Sequence, residues 1–124
     1  MEFFGKKFIS KPNEFVFFYN LFIDKTSHFL KLIGVNINTS PVLDLRIKGS
    51  SNVIGDRSFS KNPRIVSKIG DYCISHYHKN RIATVIKHIP GHGLAKVDSH
   101  LFTPVVNKNP VSYTHLTLPT SDLV

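Results

Sequence analysis

The stretch NPRIVSKIGDYCISHYHKNRIATVIKHI, residues 62–89, joins a helical pattern to a strand pattern in a single pass. Asn62 has the side chain of an N-cap, and Pro63 suits the first helical position, where its missing N–H is not needed. Ile65, Val66, Ile69, Cys73 and Tyr77 then fall on one face at helical spacing, and the pattern runs through to Asn80. From Ile82 to Ile89 the chain becomes a short apolar run rich in β-branched residues, which predicts a buried parallel strand.

Working outward, Val35 to Leu45 is rich in Val, Ile and Thr and reads as a strand. Pro41 is awkward in a central ladder, so the end of this strand is expected to unravel into a loop, with Asp44 at its C-terminal end. Further upstream, Phe15, Phe18, Tyr19, Phe22, Phe29 and Ile33 recur at helical spacing, with Asn13 placed as N-cap and Gly34 as the stop. Between the first strand and the second helix, Arg46 to Lys61 carries Gly49, Ser50, Ser51, Asn52 and Gly55, which is loop chemistry.

The order helix, strand, loop, helix, strand implies two parallel strands joined by a crossover helix, an α/β arrangement. A complete (β/α)8 barrel takes about 250 residues. A chain of 124 residues is therefore expected to hold part of such a TIM barrel, with unpaired strand edges and exposed helix faces. Residues 1–109 form that barrel fragment. From Val111 the composition shifts to Thr, Leu and Pro, and YTHLTLPT resembles a translated sequencing adapter, so residues 110–124 are read as a non-native tail and His115 is given no role.

The formal charge of +8 favours polyanions, but Lys and Arg are scattered along the chain. A small basic nucleic-acid-binding module is the alternative from another class. It is disfavoured because most Phe residues sit on one helix at core spacing instead of beside basic residues on a strand or loop. Lys6, Lys7, Lys11, Glu14, Asp24 and Lys25 interrupt the apolar N-terminal stretches, leaving neither a signal segment nor a membrane span. The single Cys73, among apolar helix positions, suits a reducing, cytoplasmic setting and not a catalytic thiol.

The densest constellation is Lys87-His88-Ile89-Pro90-Gly91-His92-Gly93, followed four residues later by Asp98-Ser99-His100. It follows a predicted strand, where α/β barrels carry their catalytic groups. Zinc is one reading of His88, His92 and His100, but their spacing matches no common zinc pattern and lacks a cysteine pair, so no metal is expected. His76 and His78, on the second helix, read as structural imidazoles that satisfy nearby backbone groups. For His100, two residues after Asp98, acid/base work is the better reading. A carboxylate that takes one ring N–H fixes the tautomer and frees the other nitrogen for proton transfer.

KHIPGHG, the four-residue gap and DSH resemble the signature of family 3 glycoside hydrolases of the bacterial β-N-acetylhexosaminidase type. NINTSPVLDL resembles that family's strand ending in APVLD, and IGDRSFSKNP resembles its IG[ED]RS[FY] loop before a helix, all in the family's order. The resemblance implies that Arg57, Lys87 and His88 bind hydroxyls of an N-acetylglucosamine ring, with Asp44 as a pocket-wall member of that substrate-binding set. It implies that His100 is the general acid/base, Asp98 its orienting partner and His92 a shaper of the loop. The expected partner is a saccharide or muropeptide containing N-acetylglucosamine, with no cofactor, nucleic acid or membrane. The family's nucleophile, an aspartate in an SDDL-like motif, and its DQEGG segment have no match here. The chain alone is therefore expected to be inactive, while its parent is expected to hydrolyse terminal β-linked N-acetylglucosamine in two retaining steps, with phosphorolysis the alternative within the enzyme class.

Overall fold

The computed structural model of the protein describes residues 1–49, 51–89 and 91–105. Along them run α1 (Glu2–Ser10), α2 (Pro12–Leu32), β1 (Ile37–Asn38), a 3₁₀ turn (Gly55–Arg57), α3 (Pro63–Lys79) and β2 (Ala83–Thr84). The expected tail and His115 lie outside the described residues. No described helix is long and apolar enough to cross a membrane.

Helix α3 starts where its sequence predicts. The Asn62 side chain accepts the Arg64 N–H at 2.9 Å, and Pro63 occupies the first turn. Val66, Ile69, Cys73 and Tyr77 are buried along one face, and Ile65 packs half-buried beside them. These side chains meet Phe15, Tyr19 and Ile23 of α2, with Phe59 and Ile82 completing the core. Tyr19 sits at its centre, its ring 4.6 Å from Phe4, 5.0 Å from Phe15 and 6.1 Å from Phe59. Burial pushes the Cys73 thiol up and keeps it protonated among these rings.

Helix α2 departs from the sequence reading at its start and on its faces. Its cap is Lys11 and its first residue Pro12, so Asn13 lies inside the helix: the ring of Pro12 fits the first turn and moves the start one residue earlier. The buried stripe is Phe15, Tyr19, Ile23 and Ser27, spaced four apart. Phe18, Phe22, Phe29 and Ile33, expected in the core, are 44%, 36%, 62% and 73% exposed. Apolar residues run nearly all round α2, the pattern of a helix covered on more than one side, and only one side is covered here. The C-terminus ends as expected. Gly34 N–H donates to the Lys31 carbonyl at 3.0 Å and Val35 N–H to the Leu30 carbonyl at 2.8 Å, the paired bonds of a Schellman motif. Helix α1 has no counterpart in the sequence reading, because Lys6 and Lys7 break the apolar pattern of its Phe residues.

The strands pair in parallel, Ile37 with Ala83 and Asn38 with Thr84, and α3 is the crossover between them. A further parallel bridge joins Val42 to Lys87. Three residues lie between Asn38 and Val42 where two lie between Thr84 and Lys87, so the first strand bulges by one residue around Pro41, which has no N–H to give. The second strand is correctly predicted as parallel but is not buried. Val85 is 43% exposed and Ile37, whose partner is Ala83, 49%, because among the described residues each strand has a neighbour on one edge only. This is a partial α/β unit, with two barrel-type strands and their crossover helix.

His76 and His78 are structural, but they meet side chains and not backbone groups. His78 lies 3.2 Å from the Thr84 hydroxyl. His76 Nε2 and Asn80 Nδ2 both reach Asp24 Oδ1, at 2.8 and 2.7 Å, and tie α3 to α2. The Asn80 hydrogen bond first, then that of His76, holds the Asp24 carboxyl below its ordinary value. A carboxyl lowered in the folded state stabilises above its unfolded value, and the contribution disappears as pH falls through the folded one. The Asp24 side chain is 53% exposed, so the contribution is under about 1 kcal/mol. Asp24→Asn is expected to lower the thermal midpoint slightly at pH 6, and the gap from the parent should close below the ordinary carboxylate range. Melting curves at several pH values read it, and a constant gap would refute the assignment.

Candidate active site

The site grows from the ends of the two strands. Beyond the Val42–Lys87 bridge, Leu43 N–H donates to the Lys87 carbonyl at 2.7 Å, which sets Asp44 beside His88. The Asp44 side chain has no exposed surface. Its Oδ2 accepts from the His88 backbone N–H at 3.2 Å and lies 2.6 Å from His88 Nδ1, while Oδ1 accepts from the His92 N–H at 2.5 Å. A buried carboxylate needs donors of this kind, and here the chain after β2 supplies all of them. Gly91 permits the approach: its φ is +107°, and a Cβ there would stand 3.1 Å from Asp44 Oδ1.

On the far side of Asp44, the buried Ser58 hydroxyl donates to the Asp44 carbonyl at 2.7 Å. Ser58 follows Arg57, so the 3₁₀ turn is tied to the strand end. Arg57 itself is exposed and donates to the Val53 carbonyl at 3.3 Å, with no hydrogen bond to Lys87 or His88. Lys87 Nζ donates to Thr39 Oγ1 at 3.1 Å. The His88 and His92 rings meet edge to face at 5.0 Å. His92 Nδ1 is buried with no hydrogen-bond partner among the described residues, and its Nε2 lies 3.5 Å from the Ser99 hydroxyl.

Asp98 and His100 form a second Asp–His pair on the loop that follows. Asp98 Oδ1 accepts the His100 backbone N–H at 2.9 Å and lies 2.6 Å from His100 Nδ1. The His100 backbone N–H first, and then its ring, hold the Asp98 carboxyl below its ordinary value. The ring is open, with the His100 side chain 79% exposed and Nε2 without a hydrogen bond among the described residues. A carboxylate can only accept, so the hydrogen between Asp98 and His100 sits on Nδ1 and the other nitrogen is available for proton transfer.

The structure thus brings Asp44, Lys87 and His88 together at the strand ends, and joins Asp98 to His100 six residues beyond His92. Among the described residues no His, Cys, Asp and Glu side chains gather as a metal-holding set. Ser58, Thr39 and the donating backbone of His92 went unread in the sequence. Only Ser58 left a signal, as the small polar residue that closes the IGDRS string. A cavity of about 500 Å³ opens between α1 and the loop Arg46–Lys61, but it is lined by neither Asp–His pair. The hydrogen-bonded groups at the strand ends are better evidence of chemistry than that volume.

The chain is similar to known proteins over most of its length. The family model described as the glycosyl hydrolase family 3 N terminal domain matches residues 24–119. A β-hexosaminidase of Thioalkalivibrio sulfidiphilus is 43% identical over 81 residues, which cover 65% of this chain and 23% of that protein. A β-hexosaminidase of Nitrosomonas eutropha is 39% identical over 80 residues, covering 64% of this chain and 23% of it. The crystal structure of native NagZ from Neisseria gonorrhoeae matches with a TM-score of 0.79 and 26% identity, over 92% of this chain and 33% of that one. The same protein in complex with N-trifluoroacetyl-D-glucosamine matches equally, with a TM-score of 0.79. The chain therefore spans about a quarter of the curated relatives and a third of the solved one.

Proposed function

We propose, for a chain that belongs to the glycosyl hydrolase family 3 N-terminal domain family, that the whole protein hydrolyses terminal β-linked N-acetylglucosamine. Cytoplasmic muropeptides released during cell-wall recycling are the proposed substrates. The observation that carries the reading is the Asp98–His100 pair, 2.6 Å apart, with its outer nitrogen open. The names of the relatives and the amino-sugar complex of the solved one support the substrate class.

Hydrolysis runs in two retaining steps. In the first, His100 gives the proton on Nε2 to the departing oxygen while a carboxylate outside this chain bonds to the anomeric carbon. In the second, the neutral ring takes a proton from water, which attacks that carbon and releases the sugar. Imidazoles change protonation near neutrality, so no extreme environment is required for both duties. Asp98 keeps Nδ1 protonated and stabilises the imidazolium. Arg57, Lys87 and His88 bind ring hydroxyls, and Asp44 holds the wall of that pocket. This chain supplies no nucleophile, so alone it does not turn over substrate.

An aryl β-N-acetylglucosaminide offered to the whole protein tests the proposal. N-acetylglucosamine should appear first as the β anomer, and the 124-residue chain by itself should release none above buffer. An α first product, or turnover by the chain alone, would refute it.

A further inference from the structure

The carboxylate of Asp44 is removed from solvent, yet among the described residues no Lys or Arg pairs with it; what it has are three N–H groups from one short loop. We propose that Asp44 is a positioning residue that locks His88 as the Nδ1–H tautomer, so that His88 Nε2 serves the site as a hydrogen-bond acceptor. The argument is one of inventory. A carboxylate accepts only, and Asp44 Oδ2 stands 2.6 Å from His88 Nδ1, so the ring hydrogen of this contact must sit on Nδ1. A neutral imidazole has one ring hydrogen, which leaves Nε2 bare. The His88 backbone N–H on the same oxygen fixes the ring's attachment as well as its tautomer, and the His92 N–H on Oδ1 holds the other end of the turn.

The consequence concerns which ligand groups fit. The neighbouring Lys87 ammonium donates and never accepts, whereas His88 Nε2 accepts and does not donate. Side by side in the chain, the two residues offer opposite halves of a hydrogen bond, and a hydroxyl satisfies both kinds because it donates and accepts. A ligand group that only accepts, such as fluorine in place of hydroxyl, would satisfy Lys87 and leave His88 unpaired. This selectivity for a hydroxyl rests on the sugar-binding reading above. The tautomer does not.

The experiment separates them. Long-range proton–nitrogen NMR on the histidine-labelled full chain at neutral pH reads the tautomer of His88 directly. The expected spectrum has a protonated Nδ1 and a bare Nε2, the opposite of the form free imidazole side chains prefer. Asp44→Ala should release the ring to the Nε2–H or averaged form while the backbone signals of α2 and α3 remain. A parent spectrum with His88 in the Nε2–H, averaged or doubly protonated form overturns the proposal, as does an alanine variant that keeps Nδ1–H. If the variant does not fold, the parent spectrum still decides. In the whole protein, Asp44→Ala should weaken N-acetylglucosamine binding by about tenfold or more, the scale of a lost charge-assisted hydrogen bond. A released tautomer with unchanged affinity would support the lock and count against the sugar site.

Discussion

Replacing His100 by Gln in the whole protein is expected to lower kcat by about 10²- to 10⁴-fold on substrates with alcohol leaving groups, the usual worth of a positioned general acid/base. Glutamine keeps much of the ring's length and a polar end, but it cannot carry and return a proton. An alcohol leaves as a poor anion and needs that proton, whereas an activated phenol leaves with little help. The loss in kcat/KM, which reports the first step alone, should therefore be far smaller on an aryl glycoside, while kcat on both classes also loses the base of the second step. Steady-state kinetics on the two substrate classes read the ratio. Equal losses of kcat/KM on both would sink the acid role and leave His100 a binding residue. Because the Asp98–His100 pair is exposed and held by contacts two residues apart, Asp98→Asn should cost less than His100→Gln. Water can replace part of what an exposed carboxylate supplies.

Gly5→Ala is expected to destabilise the chain by about 1–3 kcal/mol, against the direction of helix propensity. In an isolated helix the change would gain up to about 1 kcal/mol, because alanine loses less backbone freedom than glycine. Here Gly5 is buried against a neighbouring segment, and an alanine Cβ would stand 1.7 Å from the Phe59 carbonyl oxygen. That obstacle is backbone, so no side-chain rotation relieves it, and either α1 lifts or the Phe59 segment shifts. Phe59 belongs to the core and the preceding Ser58 holds the Asp44 carbonyl, so the second route would disturb the histidine loop. Denaturant midpoints, with limited proteolysis of the first residues, would read both the loss and its location. A rise in stability would mean that α1 is not seated on Phe59.

Local chemistry made α3 and both strand directions legible in the sequence. Asn62 and Pro63 fix where α3 begins, its apolar residues recur on one face, and the β-branched run after Asn80 has one sensible conformation. The faces of α2 were not legible. Phe15 and Phe18 are equally apolar, and which of them is covered depends on neighbours the pattern does not name. At the site, residue type and the family resemblance named Asp44, Lys87, His88, Asp98 and His100 as candidates. Sequence could not show that Asp44 spends both oxygens on backbone and ring N–H groups, since that depends on a one-residue bulge at Pro41 and on a φ only Gly91 adopts easily. The exposed Arg57 shows the converse, a motif position whose local hydrogen bond to Val53 was invisible in the string.

Among the fastenings of the loop between β1 and α3 are Arg46 N–H to the Ser60 carbonyl at 3.3 Å, Ser58 to Asp44 at 2.7 Å, and Ser51 N–H to the Ala95 carbonyl at 2.8 Å. These fasteners divide it into two small lobes, one holding Lys48 and Gly49 and the other holding the buried Ile54. Lengthening a closed lobe is cheap, about 0.6 kcal/mol for each doubling, provided its ends stay pinned. The lobe at Lys48 and Gly49 is thus where length can drift between related chains, or a tag be inserted, while the strand end carrying Asp44 keeps its place. The Ile54 lobe lacks that latitude, since its side chain is part of what the fasteners enclose.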